Sequence, residues 1–238
     1  SFAHEEADRV PRTIWMFRED VREAVAERHG SVDAFFDFLD IDSFQTFPSK
    51  GMWPGGVKGL DDALDATLTD PDDADIYTSI KRDVDFQKGQ KGRAIFCQTP
   101  GVFETSNGVL GIENSLMLLA MEPDKTHALY EKIARWAAAY AQNCLDVGVD
   151  IVHISDDWGE NERMMMRPEQ WREHIYPTES ITVQAARAAG GRVSVHCDGY
   201  FYDVLEDLVE MGVQCVHPVQ QSAGMDVPKF KREFAGRL

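Results

Sequence analysis

Basic residues are scarce in this chain of 238 residues: 24 Lys and Arg stand against 41 Asp and Glu, a formal net charge of -17. Such an acidic surface argues against a phosphate-backbone partner and against docking on anionic lipid. Long hydrophobic runs are missing too. None approaches the roughly 20 apolar residues that a membrane span needs, and SFAHEEADRVPR at the start lacks the basic-then-apolar order of a secretory leader. A cytoplasmic location is therefore expected, with neither nucleic acid nor membrane as partner. Cysteine is sparse, and Cys97, Cys144, Cys197 and Cys215 form no CxxC pair and no framework spacing. They read as reduced thiols, small buried hydrophobes before ligands. There is no internal repeat and no low-complexity linker, so residues 1–238 are expected to form one domain.

What is present is βα punctuation: short β-branched runs, polar turns, then long amphipathic stretches. Strands are predicted at 12–17, 42–47, 93–98, 150–155, 192–197 and 213–218. Helices are predicted at 124–147, 168–189, 202–211 and 227–235. Two of these helices have proline near their first turn and glycine, Gly148 or Gly190, at their end. Pro177 should kink or split the second near Tyr176. The Gly-, Pro- and Asp-rich stretch 48–90 reads as a long excursion over one end of the fold. Six βα units in series point to an α/β fold, a TIM (β/α)8 barrel. The chain stops at KREFAGRL, where a seventh strand is expected, so the C-terminal βα units are expected to be missing.

Working residues in such barrels stand at the carboxyl ends of strands. The fourth predicted strand ends in HISDDWGEN, and alternation puts His153, Ser155 and Asp157 on one face with Val152, Ile154 and Asp156 on the other. In VSVHCDGY, Ser194, His196 and Asp198 share a face and Cys197 points to the opposite one. His196 and Asp198 are therefore the pair able to converge on a divalent ion, zinc first, with Asp157 or a cysteine on the missing segment as third ligand. The competing reading makes His196 a hydrogen-bonded histidine that orients Asp198 or a substrate group. One of Asp156 and Asp157 is expected to cap a helix. Gln98, His217 and Gln220, also at strand ends, are candidate substrate contacts with His153. Trp158 and Tyr200 are candidate pocket walls, and Met164 to Met166 fit core filling better than a ligand surface.

HEEADRVP, DDWG, RPEQWREHIYP, AAGGRVSVHCDG, LVEMGVQCVHPVQQSAGMD and KREFAGRL together resemble the uroporphyrinogen decarboxylase superfamily, which includes cobalamin-dependent methyltransferases. The resemblance implies a TIM barrel, commonly dimeric. True decarboxylases of the superfamily carry an arginine-rich segment early in the chain for substrate carboxylates, and Arg12 and Arg18 do not replace it. The methyltransferase branch holds zinc through a His-x-Cys pair and a later cysteine, which activates a thiol. Here His196 matches the family histidine, Asp198 stands at the cysteine position, and the later cysteine is expected beyond Leu238. A carboxylate makes the site harder and favours oxygen-bound substrates or other metals. Without a metal, His196 and Asp198 would serve as acid and base.

The leading expectation is thus a methyltransferase that moves a methyl group between a small molecule and a corrinoid carried on a partner protein. Asp157, His196 and Asp198 would be its catalytic residues. A cofactor-free decarboxylase, in which Asp157 or His196 manages protons, and a barrel that only binds a ligand are the alternatives.

Overall fold

The computed structural model describes residues 8–15 and 17–238. Helices α1 (Glu19–His29) and α2 (Val32–Phe38) precede strand β1 (Ser43–Thr46), and α3 (Leu60–Asp65) and α4 (Thr78–Asp83) lie between β1 and β2 (Ala94–Pro100). Helices α5 (Val102–Leu110), α6 (Ile112–Met121) and α7 (Pro123–Val147) lead to β3 (Ile151–Ser155). Helices α8 (Pro168–Gln170) and α9 (Tyr176–Ala188) lead to β4 (Arg192–His196), α10 (Leu205–Met211) leads to β5 (Cys215–His217), and α11 (Val227–Phe234) follows. The strands pair in chain order and all in parallel. Among the described residues this is an incomplete TIM barrel.

Strand alternation sorts the two faces of the sheet. Cys97, Val152, Ile154, Val193 and Val195 are buried on the helix side, where Cys97 Sγ lies 3.0 Å from Tyr140 Oη and 3.5 Å from Cys144 Sγ on α7. The opposite, concave face carries Gln98, His153, Ser155, Ser194, His196 and His217. Helix α7 buries the stripe Leu129, Ile133, Tyr140 and Cys144 against the sheet and α9. Pro123 starts it where a missing N–H is harmless, and Gly148, at φ 111°, ends it by donating to Leu145 O.

The first predicted strand is not a strand. Thr13 makes one isolated parallel bridge to Ser43, because Asp42 clamps the segment at Arg12: Arg12 N–H donates to Asp42 Oδ2 at 2.7 Å, and Asp42 N–H donates to Arg12 O at 2.9 Å. Met16, within the predicted strand, lies outside the described residues. The stretch 48–90 is also more ordered than its composition suggests. It buries Met52, Ile76, Tyr77 and Ile80, and α3 and α4 pack on α7, so it forms the helical crossover from β1 to β2. The predicted helix 168–189 is split by a π-turn at Trp171–Ile175, and α9 begins at Tyr176, one residue before Pro177. Pro177 has no N–H to donate back, which is where the register slips.

At the β2–α5 junction the backbone presses on the end of β3. Gly101 N–H donates to Ser155 O at 2.9 Å, and a Cβ at Gly101 would stand 2.3 Å from both Ser155 O and Asp156 Cβ. Gly101→Ala should therefore lower unfolding stability by about 1–3 kcal/mol, measured by urea denaturation. An unchanged midpoint would show that this approach is not tight.

Candidate active site

The parallel register aligns the ends of three strands. Ser155 pairs with His196, and His196 with His217, while one layer below Gln98, His153, Ser194 and Cys215 follow one another across the sheet. Ladder partners point the same way, so three histidines meet on the concave face. His196 Nδ1 is 3.0 Å from His217 Nδ1, so one nitrogen donates to the other. His153 Nδ1 is 3.1 Å from Ser194 Oγ. Trp15 lies over all three rings, its centroid 4.3 Å from that of His196, 5.5 Å from His217 and 6.0 Å from His153.

The other nitrogen of His196 faces carboxylates. Nε2 is 3.5 Å from Asp157 Oδ1 and 3.9 Å from Asp198 Oδ2. Asp157 is held in place because its Oδ1 accepts from Asp198 N–H at 2.7 Å. Asp198, with a side chain 62% exposed, opens the site to solvent, whereas His196 is almost fully buried. One ligand atom from each of Asp157, His196 and Asp198 falls within a 4.8 Å cluster, and the same holds for His153, His196 and His217. The pair selected from strand alternation thus converges together with Asp157, and Cys197 does point away. Its thiol is buried, accepts from Trp158 N–H at 3.2 Å, and is pushed well up in pKa by that burial.

The remaining candidates divide. His153 is only 4% exposed, below the mouth rather than in it. Burial first, then the neighbouring His196 and His217, lowers its pKa to about 3, so its imidazole is neutral. Burial lowers His217 as well. Gln98 stays on the concave face, where its Oε1 accepts from Gln45 Nε2 at 3.0 Å. Gln220 braces the rim: its Oε1 accepts from Gly199 N–H at 2.8 Å and its Nε2 donates to Ser222 Oγ. Tyr200 is half-buried and donates to Asp203. Trp158 does not wall a pocket. It is fully buried against Trp171, ring centroids 5.1 Å apart, because the chain turns it to the helix side after β3.

Asp156 caps a helix, though not the one that follows it in sequence. Its Oδ1 accepts from Glu104 N–H, in the first turn of α5, at 2.5 Å, and its Oδ2 accepts from Trp158 Nε1 at 2.6 Å. Glu179 Oε1 accepts from Val102 N–H of the same turn at 2.8 Å. Two buried carboxyls therefore meet at one helix N-terminus, where the dipole favours negative charge. Burial nevertheless dominates: it raises Asp156 well above the carboxylate range, with Glu179's charge adding to it, and raises Glu179 to about 7. Among the described residues Glu179 Oε2 has no hydrogen-bond partner, and the raised pKa of both carboxyls favours keeping a proton on the pair.

Sequence reasoning passed over Trp15 and Glu179. Trp15 shares the parity of Thr13 in the bridging segment, and Glu179 sits on the buried stripe of α9 with Thr182, Val183 and Ala186. Both signals were periodic ones. A cavity of about 640 Å³ runs along the β1 edge, lined by Phe17, Phe36, Phe44 and Phe86, and reaches this region only at Trp15 and Gln45. The convergent carboxylates and imidazoles, not that cleft, mark the chemistry.

Comparison with known proteins agrees with this architecture. The uroporphyrinogen decarboxylase (URO-D) family matches residues 103–227. Among solved structures, a methyltransferase from Methanosarcina mazei superposes with a TM-score of 0.64 at 12% identity, covering 94% of this chain and 77% of that one. No curated protein matches the chain. No helix among the described residues is long and apolar enough to cross a membrane.

The buried carboxyl pair makes stability depend on pH. Glu179 has a folded pKa raised from an ordinary 4.5 to about 7, so the folded chain holds the proton more tightly than the unfolded one. Its contribution is fully present below pH 4.5 and is lost as pH rises through 7, by about 3 kcal/mol. Glu179→Gln should flatten the slope of unfolding free energy across that window. An identical slope in wild type and variant would contradict the assignment.

Proposed function

Because this chain belongs to the uroporphyrinogen decarboxylase family, we propose that it is a methyltransferase that exchanges a methyl group between a small molecule and a corrinoid delivered by a partner protein. The observation that carries this reading is the convergence of Asp157, His196 and Asp198 at the ends of adjacent strands on the concave face. The decarboxylase alternative has less support. Among the described residues no strand ends in an arginine, and Arg163, exposed on the loop after β3, lies beside Glu160. Arg12 is spent on Leu39 O, and Arg18 on Asp20.

Methyl transfer moves the carbon without its bonding electron pair, which stays on the donor heteroatom. The site must stabilise that charge. Donors about 2.1 Å from a tetrahedral ion stand roughly 3.4 Å apart. The 3.5 Å between His196 and Asp157 already fits, and exposed Asp198, at 3.9 Å, has room to close. A nitrogen with two carboxylates suits zinc and harder divalent ions. When bound, such an ion would act as a Lewis acid toward the donor or acceptor atom.

The chain's own residues do the positioning. His217 holds Nδ1 of His196 and so aims Nε2 at the two carboxylates. Asp198 N–H fixes Asp157. Gln220 sets the loop that carries Asp198 by accepting from Gly199 N–H. The acidic surface fits a protein or small-molecule partner and not a polyanion.

Elemental analysis of the purified chain should find about one divalent ion per chain, lost in His196→Ala. Added methyl donors should change the visible spectrum of a supplied corrinoid. A metal-free wild type that leaves the corrinoid spectrum unaltered with every donor would end this proposal.

A further inference from the structure

The second cluster, His153, His196 and His217, has no place in the reading above except through His217's hold on His196. From its geometry we infer that these three imidazoles form a metal position of their own inside the barrel, exclusive with the carboxylate position at the mouth. One nitrogen of each lies within 4.8 Å of the others. The 3.0 Å between His196 Nδ1 and His217 Nδ1 is that of a hydrogen bond, and it need open by only about 0.4 Å to reach the roughly 3.4 Å between two ligands on one tetrahedral ion. The three rings come from β3, β4 and β5, rigid and hydrogen-bonded strands, so the donors are preorganised. His153 and His196 are buried, His217 is partly buried, and Trp15 packs against all three rings. Among the described residues Trp15 Nε1, which is buried, has no acceptor. An oxygen ligand completing the ion's coordination is the chemistry that would provide one.

His196 is the residue common to both positions, and it uses a different nitrogen for each. Toward the mouth it offers Nε2 to Asp157 and Asp198, and toward the interior it offers Nδ1 beside His217. A neutral imidazole has a single nitrogen lone pair, because the other nitrogen carries the proton. An ion in one position therefore forces the proton onto the nitrogen that faces the other. The two positions differ in donor set as well. Three imidazoles suit zinc, cobalt, nickel or copper, whereas one imidazole with two carboxylates also admits harder ions. Choice of metal would thus select which side of His196 is occupied.

The test is Co²⁺ titration of the metal-stripped full chain at pH 7, followed by visible absorption and tryptophan fluorescence. Wild type should bind one ion and not two. The Asp157→Asn/Asp198→Asn double variant should still bind one, with the strong visible bands of four-coordinate cobalt and quenching that disappears in Trp15→Phe. In that background His153→Ala or, because His153 is buried, the milder His217→Gln should weaken binding by about 100-fold, with circular dichroism unchanged for the variant used. Two ions in wild type would overturn the exclusivity. No binding by the double variant, or binding indifferent to both histidine substitutions, would overturn the interior position. Neither result bears on methyl transfer, which the corrinoid spectrum tests separately.

Discussion

The register of the parallel sheet is the constraint on which the site depends. Ser155, His196 and His217 are successive ladder partners, as are His153 and Ser194 in the layer below. A slip of one residue in β4 would send His196 to the helix layer and bring Cys197 onto the concave face. That slip is opposed from the other side of the sheet, where Val193, Val195 and Cys197 are buried and would have to be exchanged for Ser194 and His196. The apolar packing of the helix side therefore holds the polar groups of the concave side in place.

Desolvation governs the chemistry that this scaffold makes possible. Imidazoles tolerate burial by staying neutral, and His153 does so with a pKa near 3. Carboxylates tolerate it less well. Asp157 and Asp198 lie toward solvent, while Asp156 and Glu179, pushed inward, need a helix N-terminus, Trp158 Nε1 and a retained proton. Adjacent aspartates in one sequence thus have opposite duties. Asp156 ties α5 to the end of β3, and Asp157 turns to the mouth.

Much of this was legible beforehand where a short period was enough. Alternation in VSVHCDGY separated His196 and Asp198 from Cys197, and alternation in HISDD separated Asp157 from Asp156. Trp158, a candidate pocket wall, shares the parity of Val152, Ile154 and Asp156, and it follows them to the helix side, where it packs on Trp171. The first predicted strand did fail: Asp42 captures Arg12 and leaves a single bridge.

By itself the sequence determined the βα order, the acidic surface, and which side chains of each strand share a face, because those follow from charge and from local backbone geometry. Only the tertiary structure decided what those faces meet. Trp15, some 180 residues from His196 in the chain, covers the histidines. His217 takes one nitrogen of His196 and the carboxylates face the other. Glu179 from α9 joins Asp156 from the end of β3 at α5. Such contacts come from setting strands side by side in a sheet and laying helices on it, and no local pattern encodes a partner so far away in the chain.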